Sequence, residues 1–345
     1  YSRRPSARPY PALNQNRTHN GMPATTPTSK TNFIKRKHPV SAAMLGVAAP
    51  LVFLALFFLL PLLWIVYHSI GPADAPLANY RSVFSSVIYL RSFAWTLQLA
   101  LVTSILSMVL GYPAAYAIAM APPRRQTLLL LCIILPFWTS ALVRAYSWVA
   151  ILGREGIVNS TMTGLGIWSD PAALVFNPLG AVIGTTHIMI PYVILCLYTN
   201  MRGIDSTLMR AASSLGASRM RAFFLVYVPQ TVPGLTSGFV LVFIISLGFF
   251  VTPAVLGGTQ SPTISVLIEQ NITKLLDWSQ AATLASVLLI ATLVLYAFFN
   301  KQVSGAFNAT RMTVSGATSF YRAFRRLDQA MAFLRRARSA RGKLG

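Results

Sequence analysis

Few side chains in this sequence are spaced for reaction chemistry. The two cysteines, Cys132 and Cys196, are isolated, a pattern that predicts neither a disulfide framework nor a metal site. No pattern of a catalytic triad or paired carboxylates stands out, and the chain has no Gly-x4-Gly-Lys-Ser/Thr phosphate loop. We therefore predict no catalytic, cofactor-binding or metal-binding residues here. We therefore expect only noncovalent roles for its residues, namely binding a partner protein and lining a path for a solute.

One polar segment, residues 205–229, has a spacing suited to docking another protein. Asp205 can cap a first short helix, and Gly216 can adopt the left-handed conformation that ends it. Ser218 can then start a second helix, and we expect Pro229 to close the segment before the next apolar run. Two adjacent alanines keep one face of the first helix small. This pattern predicts a helix–turn–helix element that receives force from a partner.

The stretches around this segment must cross a membrane. The chain is 54% hydrophobic and only 10% charged. Several apolar windows are long enough to cross a hydrocarbon core of about 30 Å as helices, because backbone groups in lipid must bond internally. We therefore predict an all-α, polytopic membrane protein rather than a large soluble core. The six predicted spans cover residues 41–68, 92–119, 127–152, 179–199, 232–256 and 280–300.

The basic residues give the predicted orientation. If the first end is cytoplasmic, 24 of the 29 Lys and Arg residues lie on the cytoplasmic side, as the positive-inside rule requires. Both ends and the segment 205–229 are then cytoplasmic. Topology and anionic membrane lipid account for the net charge of +22, so we predict no nucleic-acid partner.

The composition divides the chain into three parts. Residues 1–40 are basic and rich in Pro, Ser, Thr and Asn, which predicts a disordered cytoplasmic tail. Residues 41–300 form the predicted six-helix domain, and residues 301–345 form a second basic cytoplasmic tail. In that tail apolar residues recur at helical spacing from Phe320 to Leu334, which is typical of an amphipathic helix. It would lie on the inner membrane surface or pack on a partner.

Two groups of residues are candidates for the path of a solute or for its gate. Arg144 is the most informative, because a charge inside a membrane span is costly and needs a partner or water. It could pair with Glu155, with an acid of a companion subunit, or with an anionic group on the solute. The aromatic members could line the path and attract an ammonium group, or simply anchor the spans at the headgroup level. His187 is predicted to be an interior histidine, with a pathway role as the alternative. The pathway candidates are Trp138, Thr139, Arg144, Tyr146 and Trp148 in the third predicted span, and Phe249, Phe250 and Thr252 in the fifth.

The polar segment resembles the cytoplasmic loop of the permease subunits of bacterial ABC importers. That loop reads Glu-Ala-Ala, three residues, Gly, nine residues, then Ile-x-Leu-Pro. Here every spacing is kept, with Arg210 in the position where the family usually has Glu. Residues 135–148, 152–159 and 248–258 are similar to the first permease of spermidine/putrescine-type importers. The matching loop positions are Arg210, Ala211, Ala212, Gly216, Val226, Val228 and Pro229.

The resemblance implies a subunit of the bacterial inner membrane that forms the path for a small charged solute. Its implied partners are a second, similar but different permease, two ATPases that bind ATP and Mg, and an external solute-binding protein. A polyamine is the expected solute; opines, aminophosphonates and other small amino-containing anions are alternatives within the same subfamily. A stand-alone secondary carrier would need coupling charges inside the membrane, which are nearly absent. The residues expected to dock the ATPase are Arg210, Ala211, Ala212, Gly216, Ala217 and Pro229.

Overall fold

The computed structural model describes residue 48 and residues 50–71, 75–259 and 261–312, with side chains up to residue 301. The chain divides into two units at residues 54 and 55, and the described residues of the first unit are helical. The predicted tail 1–40 and the amphipathic pattern from Phe320 onward lie outside the described residues.

The described part of the second unit is built of helices without strands. A π-helical turn, Ala55–Leu59, precedes α1, and a second one, Phe223–Tyr227, joins α9 to α10. The helices are α1 (Leu60–Ser69), α2 (Ala78–Ser85), α3 (Val87–Met120), α4 (Pro123–Ile134), α5 (Ala141–Leu152), α6 (Ile157–Gly164), α7 (Pro178–Arg202), α8 (Ser206–Ser214), α9 (Arg219–Ala222), α10 (Val228–Leu247), α11 (Val251–Leu256), α12 (Ile264–Thr273) and α13 (Trp278–Met312).

The prediction of an all-α membrane protein is confirmed. Among the described residues, five helices are long and apolar enough to cross a bilayer, and a bent helix pair makes a sixth span if the pair counts as one. The five helices are Pro50–Ser69, Val87–Met120, Pro178–Arg202, Arg219–Leu247 and Trp278–Lys301, and the bent pair is Pro123–Trp138 with Ala141–Gly164.

The third predicted span, 127–152, is not one straight helix. The chain turns by 96° between its two halves. Pro136 has no amide hydrogen, so α4 gives way to a 3-10 turn, Leu135–Trp138, and Thr139 after it is extended. The Thr139 hydroxyl donates to the Pro136 carbonyl oxygen at 2.7 Å, which stabilises the break. The predicted pathway residues of this span therefore lie at the break or on α5.

The fifth predicted span, 232–256, begins and ends earlier than expected. The spanning helix covers Arg219–Leu247, and α11 is a separate short helix after it. Pro229 does not close the segment, because the helix continues through it and the π turn directly precedes it. In a π turn the backbone hydrogen bonds span one more residue than in an α-helix. The altered pattern accommodates Pro229, which has no amide hydrogen to donate. The Gln230 side chain also donates to the Val226 carbonyl oxygen at 2.8 Å.

The core of this unit lies where α3, α7 and α10 pack against one another. Its fully buried members include Met189, Val193 and Leu197 on α7. At Gly111 of α3, an added Cβ would lie 3.2 Å from Val193 Cγ1, so the glycine lets the two helices approach closely. The docking segment follows α7 in the sequence, and α11 follows α10. Both elements are therefore attached to helices of this three-helix core.

Candidate functional site

The predicted docking segment forms a capped helix and a tight turn. Asp205 Oδ1 accepts a hydrogen bond from the Thr207 amide at 2.8 Å, so α8 begins at Ser206. Gly216 has φ +82°, and the Ala217 amide donates to the Ala212 carbonyl oxygen at 3.0 Å, which ends the helix. These local predictions are confirmed. The role of the segment in docking stays a prediction.

The outer face of α8 is free of contacts with the rest of the described chain. None of its residues is buried, and Leu215, which follows it, is 89% exposed. Met209 is half-buried and packs on the three-helix core, which fixes one side of α8. Of the predicted docking residues, Arg210, Ala211 and Gly216 are exposed, and Ala212 and Ala217 are half-buried.

Pro229 is set apart from the other predicted docking residues. It lies half-buried at the start of α10, beyond the π turn. The residues of the sequence motif therefore run from the exposed helix α8 to the start of the membrane-spanning α10. In this chain the motif therefore links the two elements rather than forming one surface.

Among the described residues outside the spanning helices, Asp205 has a pKa displaced from its ordinary value. The Thr207 hydroxyl and amide bond to its carboxylate and lower the pKa of Asp205, with a smaller contribution from Arg210. The carboxylate is therefore charged at neutral pH, when it caps α8. A negative charge at a helix N-terminus is also favourable for the helix dipole.

The pathway candidates of the third predicted span separate into two groups. Trp138 is 89% exposed and Thr139 is also exposed, both at the break, while Tyr146 is exposed on α5. Arg144 and Trp148 are half-buried on the other face of α5. The candidates after α10 are more enclosed, since Phe249 and Phe250 are half-buried and Thr252 is fully buried.

The structure brings the helices that carry some of these candidates together. Helix α11, which carries Thr252, packs against α5, which carries Arg144 and Trp148, and against α7. The close approach to α7 depends on Gly184. An added Cβ there would lie 2.5 Å from Thr252 Cγ2 and 2.5 Å from Leu256 Cδ1. The Asn177 amide also donates to the Leu256 carbonyl oxygen at 3.1 Å. Helix α11 is thus seated between the two helices that carry Arg144 and His187.

Arg144 has an incomplete set of partners. Its buried Nε has no hydrogen-bond partner, and no ion pair joins it to Glu155 among the described residues. It lies close enough to His187 to interact with it electrostatically. His187 is exposed rather than interior, and its ring meets the Trp148 ring edge-on at 5.4 Å. The cluster Arg144–Trp148–His187 therefore presents two basic side chains, Arg144 and His187, on one surface of α5 and α7.

Sequence reasoning missed the residues that seat α11. Gly180 and Gly184 form a Gly-x3-Gly pattern on α7, which is the usual signal for close helix packing in membranes. It also missed an aromatic contact between α3 and the π turn. The Tyr116 ring lies 5.2 Å from the Phe223 ring and 5.2 Å from the Tyr227 ring. No local pattern pointed to this contact, because it depends on how distant helices pack.

These features define a polytopic helical protein with an exposed, capped helix between two spans. The family model of the binding-protein-dependent transport system inner membrane component matches residues 107–305. The chain belongs to this family and is the permease component of an ABC importer, a multi-pass protein of the inner membrane. The relatives are membrane components of transporters.

Individual proteins agree with that assignment. The spermidine/putrescine transport system permease protein PotB of Salmonella typhimurium (strain LT2) is 31% identical over 73% of this chain and 92% of its own length. PotB of Escherichia coli (strain K12) is 31% identical over 71% of this chain and 92% of its own length. A crystal structure of a bacterial alginate ABC transporter, in complex with its alginate-bound periplasmic protein, contains a similar chain. Its TM-score is 0.59 at 19% identity, over 76% of this chain and 93% of that one, which supports the fold.

Proposed function

We propose that this permease carries a small charged solute, of the polyamine class, with energy from two partner ATPases that dock on α8 and the turn at Gly216. An external binding protein would deliver the solute, and a second, similar but different permease would complete the path. The observation that carries this proposal is the capped, outward-facing α8 between two membrane spans. ATP and Mg would be bound by the ATPases alone.

The charges support a cytoplasmic position for α8. Arg124 and Arg125 stand at the start of α4, Arg202 is the last residue of α7, and Arg210 lies on α8. If the bent pair crosses the bilayer once, these two groups share one face, as the positive-inside rule favours. If the pair did not cross, they would lie on opposite faces. The charge pattern therefore also favours six spans and two cytoplasmic ends.

The polyamine class is supported by the PotB relatives, whose names state spermidine and putrescine. Because no Asp or Glu lies within a predicted span, loop acids would supply the attraction for a cation. Asp170 is exposed in the loop before α7, and Asp277 caps α13 through the Gln280 amide at 2.9 Å. Asp74, the third expected acid, lies outside the described residues.

Arg144 favours a second candidate class of solute. A half-buried arginine beside His187, with its Nε unpartnered, is suited to a carboxylate or phosphonate. An opine or aminophosphonate carries such a group together with an amine.

Calorimetry with the purified binding protein decides between the two classes of solute. If the solute is a polyamine, the double variant D170N/D277N should lower its uptake. Unchanged uptake in that double variant would exclude the proposed role of both acids.

Co-purification tests the docking itself. The tagged chain should bring an ATPase out of the membrane, whereas a stand-alone carrier would not. Gly216→Val forces a β-branched residue into φ +82°, which costs about 1–2 kcal/mol, and should uncouple ATP hydrolysis from uptake. Gly203→Val is the matched control, because Gly203 precedes α8 and has φ −82°. Equal coupling in both variants would contradict the docking proposal.

A further inference from the structure

A further feature, apart from the exposed α8, its turn at Gly216 and the pathway candidates, lies where α9 becomes α10. There the spanning helix contains the π turn Phe223–Tyr227, flanked by α-helix on both sides. A π turn within an α-helix is rare and is frequent at functional sites. Here it occurs between the element that faces a partner and the span that leads to α11.

Aromatic rings hold this turn against α3. The Phe223 and Tyr227 rings stack with centroids 5.7 Å apart. Tyr116 meets both edge-on at 5.2 Å, and Tyr112 meets Phe223 edge-on at 6.5 Å. Such geometries are favourable and directional, because the edge of one ring is attracted to the face of the next. We call these four residues the aromatic joint.

The joint has a mechanical connection on each side. Met209 of α8 packs on the core cluster that contains Tyr227, and α8 also contacts the π turn directly. On the other side, the Tyr112 hydroxyl lies 3.2 Å from Thr231 Oγ1 on α10. A displacement of α8 therefore reaches α3 and α10 through the same rings.

The surroundings of the joint leave room for movement. A groove of about 680 Å³ lies beside it, lined by apolar and aromatic side chains that include Pro113, Phe223 and Val228. The Tyr227 hydroxyl is buried and has no hydrogen-bond partner. An unpaired buried hydroxyl is unfavourable, so a shift of the Tyr227 ring that gave its hydroxyl a partner would be favoured.

We propose that the aromatic joint transmits movement of α8 to the spans, with Phe223 and Tyr116 as the positioning residues that couple ATP hydrolysis to uptake. The joint acts through ring contacts at the π turn, not through contact with the ATPase or the solute. This proposal rests on the proposed function, since it needs an ATPase on α8.

The test uses the assembled transporter in lipid vesicles and measures uptake per ATP hydrolysed. Phe223→Leu removes the ring but keeps an apolar side chain, and Tyr116→Leu does the same from α3. In each variant we expect about a tenfold fall in solute taken up per ATP, with the ATPase still co-purifying, because at least two ring contacts are lost. Phe223→Tyr restores a ring and should restore most of the coupling.

Phe239→Leu is the matched control on the same spanning helix. Phe239 stacks on Phe243 at 5.8 Å and meets Phe299 edge-on at 5.7 Å, away from the joint. Normal coupling in Phe223→Leu and Tyr116→Leu, or an equal loss in Phe239→Leu, would overturn the joint. Loss of the ATPase from the Phe223→Leu complex would also overturn it, because the ring would then act in docking. If the unaltered chain brings no ATPase, the proposed function fails instead.

Discussion

At the residue scale, Asp205 and Arg144 illustrate what local sequence determines. The cap of α8 involves Asp205 and the Thr207 amide, two residues apart, so its chemistry could be predicted from residue types alone. The neighbours of Arg144 could not be predicted in that way. His187 lies 43 positions away in sequence and reaches Arg144 only because α5 and α7 come together after the bend.

The Asp205 cap should resist acid. Because its pKa is lowered in the folded state, its contribution is present above the ordinary pKa of about 4 and is lost only as pH falls through the lowered value. Hydrogen exchange at the first amides of α8, corrected for intrinsic rates, should show constant protection from pH 8 to pH 5. Asp205→Asn keeps a cap that does not titrate, and Asp205→Ala should lose protection at every pH. Loss of protection already near pH 6 would refute this assignment.

Arg144 separates the two classes of solute kinetically. An arginine inside a membrane span costs about 3 kcal/mol, so Arg144 is expected to serve a partner or the solute. If the solute is a polyamine, Arg144→Gln should lower the maximal uptake rate without raising KM. If the solute carries an anionic group, the same variant should raise KM about tenfold or more, since one charge-assisted contact is lost. Arg144→Lys is the charge-preserving control, and wild-type kinetics in Arg144→Gln would show that neither role exists.

At the element scale, the positions where helices break are the features that the sequence did not predict. The apolar windows predicted where membrane spans occur, but not that Pro136 bends one by 96° or that a π turn carries another through Pro229. Hydropathy depends only on composition. A helix break depends on whether the backbone carbonyl oxygens that lose their helical hydrogen bonds find other donors in the fold. The Gly-x3-Gly pattern on α7 did carry a usable signal for the seat of α11.

The seat of α11 is tested at Gly184. A leucine there has no room beside Thr252 and Leu256, so Gly184→Leu should displace α11 at a cost of about 1–3 kcal/mol and lower uptake, while the ATPase still co-purifies. Gly164→Leu is the matched control, because an added Cβ at Gly164 meets nothing within 4 Å. Full uptake by Gly184→Leu would show that the position of α11 is unimportant for transport.

At the scale of the whole molecule, the described part of the chain has a three-helix core to which α8 and α11 are attached. The exposed α8 connects to the core through Met209 and the π turn, and α11 rests on α7 through Gly184. Among the described residues, α8 precedes the spanning helix Arg219–Leu247 and α11 follows it. Under the proposed function, energy input at α8 and solute passage near α11 would take place at different ends of this helix.

We propose that α8 lies on the cytoplasmic side and touches an ATPase. The test is a single cysteine in α8, Ala211→Cys, in a chain whose Cys132 and Cys196 are replaced by serine. We predict that a membrane-impermeant thiol reagent labels this cysteine only in inside-out vesicles, and that a short cross-linker joins it to the ATPase in the active transporter. Labelling from outside intact cells, or an active transporter that yields no such cross-link, would contradict this position of α8 and its contact with the ATPase.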